Sequence, residues 1–268
     1  MEKQFNYQNS LISYSVEGEG KAVVLLHGFA EDRRIWNNQA AFLKNQFKLI
    51  IPDLPGSGKS GLLTYKTSIS VDDYADCIHA LLKEEQVEKC IMLGHSMGGY
   101  ITLAFAEKFA YLLKAFGFVH STAFADSEEK KVSRKRGIEM IEQYGVYPFV
   151  KNTTPNLFAA RFKAEHPDKI DLLIEQGKEF SKQALQQYYT AMMNRPGRTN
   201  VLRDSEVPVL FIVGTEDVAA PMQDVLEQVH LPAVAFVHII KNTGHMSMWE
   251  APAELNKYLL AFADEVNQ

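Results

Sequence analysis

The feature that most restricts the fold is a five-residue turn in the middle of the chain, Gly94-His95-Ser96-Met97-Gly98. It follows the apolar residues 90–93 and precedes a helix-like segment that starts near residue 99, so a strand, a sharp turn and a helix are expected in that order. A serine at such a turn lies on strained backbone, with its hydroxyl exposed at the end of the sheet. Glycines are expected on either side because a Cβ atom there would crowd the backbone. Ser96 is therefore a candidate nucleophile.

Apolar runs alternate with amphipathic segments on both sides of this turn. The predicted strands are two within residues 5–16, followed by residues 23–26, 48–51, 90–93, 115–119, 209–213 and 234–240. Apolar residues recur at helical spacing between several of them, most clearly over residues 71–82. This alternation predicts the α/β class, with a mostly parallel eight-stranded sheet and helices on both faces.

Strand signals stop between residues 122 and 201, where apolar stripes at helical spacing are separated by prolines. We interpret this stretch as a helical cap inserted between two strands of the sheet. The predicted organisation is a core formed by residues 1–121 and 202–268, and a cap or lid formed by residues 122–201.

Composition restricts the class of protein and of partner. The chain has 268 residues, of which 46% are hydrophobic and 23% charged, so a sizeable core is expected. The net charge of -5 does not favour a nucleic-acid partner. Cys77 and Cys90 lie in apolar segments and are expected to be buried thiols rather than a disulfide. There is neither a signal-peptide pattern nor a run of about 18 apolar residues, so a cytoplasmic protein without a membrane partner is expected.

Four predicted strands end in residues that can support chemistry. These are His27-Gly28-Phe29, the serine turn, Gly214-Thr215-Glu216-Asp217 and, one loop after the last strand, Thr243-Gly244-His245. The carboxyl ends of parallel strands meet at one edge of a sheet, where sites form. The order serine, acid, histidine is the one expected when the serine lies on a nucleophile elbow. A serine needs a histidine to take its proton, and that histidine needs a carboxylate to hold its tautomer. Ser96, His245 and Asp217 are assigned these catalytic roles.

With these motifs the chain resembles the α/β-hydrolase fold family over essentially its whole length. The elbow, the His27-Gly28 turn, residues 53–60, the Asp217 turn and Gly244-His245 match that family in type and order. The resemblance implies that the backbone N–H groups of Phe29 and Met97 form the oxyanion hole. It also implies that residues 122–201 lie as a lid over the serine.

Other residues compete for the same roles. Glu216 is adjacent to Asp217, and Asp126 follows the preceding strand, so both are alternative acids. His95 is expected to pack behind the elbow and His27 to brace the oxyanion turn. The remaining histidines apart from His120, at positions 79, 166, 230 and 238, are expected on the surface or in the core.

The pocket is expected to be enclosed and largely apolar, because the lid segment is rich in aromatic and thioether side chains. The candidate pocket residues are His27, Gly28, His120, Tyr144 and Met192. The expected partner is a small-molecule ester or related carbonyl compound. No cofactor and no metal are expected, and the sequence leaves the oligomeric state open.

Two other motifs favour ordinary explanations. Residues 55–60, Pro-Gly-Ser-Gly-Lys-Ser, resemble the end of a phosphate-binding loop, but Asp53 occupies the position of the required first glycine. The stretch instead resembles a structural loop of the α/β-hydrolase family. The basic run at residues 130–136 follows acidic residues and is expected to form a solvated helix face.

Three functions are compatible with these motifs. The simplest is a serine hydrolase that forms an acyl-enzyme and cleaves carboxylic esters. The same triad also serves carbon–carbon bond hydrolases and lyases, and a non-catalytic ligand-binding protein could use the same scaffold. A serine nucleophile argues against dehalogenase or epoxide hydrolase chemistry, which the resemblance associates with an aspartate.

Overall fold

The computed structural model describes residues 1–267; Gln268, the last residue of the predicted core, lies outside them. Eight strands form one sheet, with the following bounds: β1 Glu2–Tyr7, β2 Ser10–Glu17, β3 Ala22–Leu26, β4 Lys48–Pro52, β5 Cys90–His95, β6 Leu113–Val119, β7 Val209–Gly214 and β8 Ala235–Ile240. Their order across the sheet is β1-β2-β4-β3-β5-β6-β7-β8. The pairs β1/β2 and β2/β4 are antiparallel and all other pairs are parallel. The predicted fold class is confirmed.

Six helices accompany the sheet: α1 Asn37–Leu43, α2 Val71–Glu84, α3 Met97–Phe109, α10 Met222–Leu226, α11 Ser247–Glu250 and α12 Pro252–Glu265. Helices α2 and α3 pack together, as do α1 and α12, so that both faces of the sheet are covered. Strands β3, β5 and β7 are buried throughout, as their continuous apolar sequences predict. Helix α10 begins directly after Pro221.

Six further helices lie between β6 and β7 in the chain: α4 Glu128–Tyr144, α5 Val146–Thr153, α6 Ala160–Glu165, α7 Pro167–Gln176, α8 Lys182–Asn194 and α9 Thr199–Arg203. Helix α8 contacts the rest of the protein through Tyr188, whose hydroxyl donates a hydrogen bond to the carbonyl of Pro55 at 2.8 Å and lies 2.7 Å from Ser57 Oγ. The loop that resembles a phosphate-binding motif is therefore covered by protein at Ser57.

Both cysteines, Cys77 and Cys90, are free and buried, as the sequence predicts. Burial raises the pKa of the Cys90 thiol to about 12. Within residues 1–267, none of the helices combines the length and the apolar character that crossing a bilayer requires.

Candidate active site

Ser96 occupies a strained turn between β5 and α3. Its backbone has φ 49° and ψ −114°, a conformation that residues other than glycine rarely adopt. A Cβ atom on Gly98 would lie 2.5 Å from the carbonyl oxygen of Leu26, so the expected need for glycine is confirmed there. The turn is held on both sides, because Ser96 N–H donates to the Val119 carbonyl at 3.0 Å and Ser121 Oγ donates to the Ser96 carbonyl at 2.7 Å. The strand–turn–helix geometry thus fixes the position of this serine.

His245 is paired with the carboxylate of Asp217. Its Nδ1 lies 3.0 Å from Oδ1 and 2.9 Å from Oδ2, and both side chains are buried. Burial opposes ionisation of Asp217, but the charge of His245 and the hydrogen bonds of His120 and His245 hold its pKa far below the ordinary value. Burial likewise lowers the pKa of His245, but the Asp217 charge outweighs it and the pKa is raised. Nδ1 therefore carries the proton, which leaves Nε2 as the basic nitrogen of the neutral ring.

The loop that carries His245 is fixed by the carboxylate of Glu250. This carboxylate accepts hydrogen bonds from the N–H groups of Gly244 and Met246, each at 3.1 Å, and from Ala159 at 2.8 Å. Burial raises the pKa of Glu250, since these backbone donors compensate only part of the desolvation. Sequence reasoning did not identify this residue, because a glutamate five residues after a histidine carries no specific signal.

His95 and Glu31 form a second buried pair directly behind the serine. His95 Nδ1 lies 2.9 Å from Glu31 Oε2, and the same oxygen accepts the N–H of Gly28 at 2.7 Å. His95 Nε2 lies 2.9 Å from the carbonyl oxygen of His245. The pair therefore connects the turn after β3, the elbow and the His245 loop. The expected packing of His95 behind the elbow agrees with this position, whereas Glu31 was not anticipated.

His120 does not line the cavity at Ser96. It is completely buried, with Nδ1 3.0 Å from Asp217 Oδ2 and Nε2 2.7 Å from Ser247 Oγ. Burial lowers its pKa to about 4, against the opposing influence of Asp217. The prediction of His120 as a pocket residue is wrong, because its ring packs behind the carboxylate instead of facing the cavity.

His27 and Gly28 also lie behind the cavity surface. The His27 ring is fully buried and connects two segments, since its Nε2 accepts the N–H of Leu54 at 2.9 Å and its Nδ1 donates to the Gly28 carbonyl at 2.8 Å. A Cβ atom on Gly28 would lie 3.2 Å from Cβ of Ser96, so the backbone approaches the serine closely. Both residues are better described as supports of the turn than as pocket walls.

The alternative acids make other contacts. Glu216 is exposed, and its Oε2 accepts the N–H of Ala160 at 3.1 Å. Asp126 is buried and bonded to Arg134 and Arg195. Within residues 1–267, Asp217 is the acid that hydrogen-bonds the ring of His245.

Ser96 and His245 line the same cavity of about 180 Å³. Residues 122–201 contribute much of its wall, namely Arg134, Thr153, Thr154, Leu157, Leu173, Tyr189 and Met192. Phe29 lines it as well, and its ring stacks on Tyr189 with centroids 4.2 Å apart. Met192 is found at the predicted place, but Tyr144 is 60% exposed and does not reach the cavity. Tyr144 ends α4, where its side chain turns to solvent.

Arg134 lies in the basic run that was expected to form a solvated helix face. That expectation is wrong at this position: the Arg134 side chain is only 18% exposed, is bonded to Asp126 and lines the cavity. Lys135 of the same run is exposed, and Lys131 is partly exposed. A run of basic residues does not show which side chain points into the protein, because this depends on how α4 is rotated against its neighbours.

One group of residues has the spacing of a metal site. His120, Asp217 and His245 place potential ligand atoms within 4.8 Å of one another. Both histidines are hydrogen-bonded to Asp217 through Nδ1, so hydrogen bonds within the group account for this spacing.

Comparison with known proteins agrees with this geometry. A model described as "Alpha/beta hydrolase family" matches residues 23–258. The chain is 24% identical to a 2-hydroxy-6-oxo-6-phenylhexa-2,4-dienoate hydrolase of Comamonas testosteroni, over 94% of this chain and 91% of that protein. It is 26% identical to karrikin insensitive 2 receptor IA of Petunia hybrida, with 90% of each covered.

Among solved structures, a thermophilic esterase from Thermogutta terrifontis, described as malate bound, superposes with a TM-score of 0.91 at 25% identity. The superposition covers 97% of this chain and 95% of that one. Since the matched model spans most of the chain and includes the elbow, the Asp217 turn and His245, the protein belongs to the alpha/beta hydrolase family.

Proposed function

We propose that the protein is a serine hydrolase, most simply a carboxylesterase that acts on small or medium acyl esters. The observation that carries this proposal is the bond between His245 Nδ1 and Asp217, in a site where His245 and Ser96 line one cavity. The hydrogen bond to Asp217 keeps the proton on Nδ1 and directs the basic nitrogen away from Asp217. A protein that only binds a ligand has no need of all three residues, so the set weighs against that alternative.

In the proposed reaction, Ser96 Oγ attacks the ester carbonyl while His245 Nε2 accepts the serine proton. His245 then returns this proton to the departing alcohol, leaving an acyl-enzyme. Water, deprotonated by the same nitrogen, attacks the acyl group, and the acid is released as Ser96 recovers its proton. Asp217 stabilises the imidazolium that forms twice in this cycle.

The oxyanion of each tetrahedral intermediate is proposed to bind the backbone N–H groups of Phe29 and Met97. Within residues 1–267, neither group donates a hydrogen bond to another backbone carbonyl. Met97 is the first residue of α3, where N–H groups have no partner inside the helix. Each such donor typically contributes a factor of about 10²–10³ to kcat.

Residues 122–201 are proposed to act as the lid of this site, and the rest of the chain as the core. The proposal is supported by the seven residues of this segment that line the cavity, among them Met192 and Leu173. A cavity of this size and lining suits a short acyl chain, which would be enclosed between the sheet edge and the helices.

Carbon–carbon bond hydrolysis is the second candidate. The Comamonas testosteroni relative is named for cleavage of a dienoate, and the same serine and histidine can attack a ketone carbonyl. In that case the leaving group is a carbanion that His245 protonates, instead of an alkoxide.

Labelling and hydrolysis test these functions together. A fluorophosphonate probe should label the wild-type protein at Ser96 and leave Ser96→Ala unlabelled. Ser96→Ala should also reduce the hydrolysis of p-nitrophenyl butanoate to the background rate, with Ser68→Ala, at an exposed serine, as the matched control that keeps the nucleophile. Absence of labelling would favour a binding protein, and cleavage of vinylogous diketones without cleavage of esters would favour the second candidate.

A further inference from the structure

We propose that the cavity at Ser96 selects a substrate that carries a carboxylate, which Arg134 binds. This inference rests on the proposed function, since it names the substrate class of the same site. It goes beyond it because a simple esterase pocket for acyl chains needs no cation.

Arg134 is held rigidly at the cavity wall. Its Nε donates to Asp126 Oδ2 at 2.6 Å and its Nη2 to Oδ1 at 3.3 Å. The guanidinium lies 5.4 Å from the centroid of the Tyr189 ring, which also lines the cavity. Within residues 1–267, Nη1 has no hydrogen-bond acceptor. The side chain thus keeps donors available while its orientation is fixed.

Asp126 does not neutralise Arg134 alone. Its carboxylate is completely buried and also accepts Arg195 Nη1 at 2.7 Å. Two guanidinium groups therefore share one carboxylate, which leaves one positive charge, because arginine stays protonated in proteins. Arg195 Nη1 and Nη2 also donate to the carbonyls of Met192 and Phe124, whereas its Nε is buried without an acceptor among residues 1–267, and Arg195 does not line the cavity. The uncompensated charge is consequently presented to the cavity through Arg134.

The acid that lines the cavity does not cancel this charge. Glu31 is already paired, since its Oε2 accepts the N–H of Gly28 and bonds His95. Within residues 1–267, Arg134 has an ion pair with Asp126 and with no other acid. A cation that is largely removed from water is costly to desolvate unless an anion completes its coordination. A substrate carboxylate is such an anion and matches the planar guanidinium.

The carboxylate could lie on the acyl part or on the leaving group of an ester, and matched substrates distinguish these sources. On the acyl side, p-nitrophenyl hydrogen glutarate is compared with p-nitrophenyl pentanoate. On the leaving-group side, 4-carboxyphenyl butanoate is compared with 4-carbamoylphenyl butanoate. We expect the wild-type protein to favour the anionic member of at least one pair by about tenfold or more in kcat/KM, as for one charge-assisted hydrogen bond.

Arg134→Gln should bring this ratio close to one, and Arg134→Lys should give an intermediate ratio because lysine keeps the charge but loses the planar contact. Arg136→Gln is the matched control, since it removes an exposed charge from the same helix and should leave the ratio unchanged. Circular dichroism melting of each variant shows whether it is folded. No preference for either anionic ester in the wild type, or an undiminished preference in Arg134→Gln, would overturn the proposal.

A binding measurement separates this inference from the proposed function. Glutarate should bind to Ser96→Ala in isothermal titration calorimetry, and the binding should weaken at least about tenfold in Ser96→Ala/Arg134→Gln. If no ester is cleaved but glutarate binds through Arg134, the proposed function fails and the anion site remains. If esters are cleaved but glutarate binding does not depend on Arg134, only the anion site fails.

Discussion

Two carboxylate–histidine pairs flank His245, and they differ in their hydrogen-bond partners. The ring of His95, paired with Glu31, has its centroid 4.8 Å from that of His245, and the ring of His120, paired with Asp217, has its centroid 5.7 Å away. All of these side chains are buried. The pairs differ in the group that faces the second nitrogen of each ring.

For His95 this group is the carbonyl oxygen of His245, which can only accept a hydrogen bond. Burial opposes ionisation of Glu31, but the His95 charge and the Gly28 N–H hold the pKa of Glu31 below its ordinary value. Both ring nitrogens of His95 therefore face acceptors. For His120 the group is the Ser247 hydroxyl, which can donate, so the ring is neutral, in agreement with its lowered pKa.

The partner at the far nitrogen thus distinguishes the two pairs. The Glu31 carboxylate is held by two neighbours, since its Oε2 accepts the Gly28 N–H and bonds His95 Nδ1. Asp217 receives a hydrogen bond from His120 without losing its negative charge. That charge stays available to His245, whose pKa it raises. The difference suits a structural role for Glu31 and an electrostatic role for Asp217.

The largest effect is expected for Asp217→Asn, which removes the negative charge that Asp217 keeps beside the neutral His120. We expect kcat to fall by about 10³–10⁴-fold because the tautomer of His245 is no longer fixed. In the wild type, kcat/KM should decline as the pH falls through a pKa above 6.5, since the protonated His245 cannot accept the Ser96 proton. Stopped-flow or steady-state pH profiles measure both effects.

Glu216→Gln is the control for this change, because the Glu216 carboxylate bonds the N–H of Ala160 and not His245. Retention of more than about a tenth of kcat in Asp217→Asn would contradict the electrostatic role.

A smaller effect is expected for Glu31→Gln, which removes the carboxylate that bonds His95 Nδ1 and the Gly28 N–H. Buried donors that lose their acceptor are costly, so the free energy of unfolding should fall by about 1–3 kcal/mol. Urea denaturation measures this change. Glu142→Gln, which removes an exposed partner of Lys182, should leave the unfolding midpoint almost unchanged. Equal midpoints in the two variants would contradict the structural role of the Glu31–His95 pair.

The smallest effect is expected at His120, where an uncharged hydrogen bond is lost. His120→Gln cannot reach Asp217 in the way that Nδ1 does, whereas His120→Asn places an amide near that position and tolerates the φ of 55°. The free energy of unfolding at pH 7 should fall by about 1–2 kcal/mol for His120→Gln and by less for His120→Asn.

The pH dependence of this loss tests the neutral state of His120. Its pKa is about 4 in the folded protein and near 6.5 unfolded, so the unfolded chain binds the proton first as the pH falls. The stability that neutral His120 contributes is complete above pH 6.5 and is lost towards pH 4. The difference in unfolding free energy between wild type and His120→Gln should therefore shrink from pH 7 to pH 4.5. A constant or growing difference would mean that His120 is charged.

The outline of the fold could be predicted because it depends on local patterns. Continuous apolar runs identify β3, β5 and β7, and the glycines around Ser96 identify the elbow, since each depends on neighbours within a few residues. The contacts of the buried histidines could not be predicted in the same way. Glu31 and His95 are 64 residues apart and His120 and Ser247 are 127 apart, so no spacing in the chain marks them.

The sequence by itself determined the α/β class, the family, and the order of serine, acid and histidine along the chain. It did so because parallel strands bring their carboxyl ends to one edge whatever the details of packing. The tertiary structure alone decided the hydrogen-bond partners of each buried ring and the inward turn of Arg134. These depend on which donor or acceptor lies within about 3 Å of an atom after folding, a distance that periodicity along the chain does not encode.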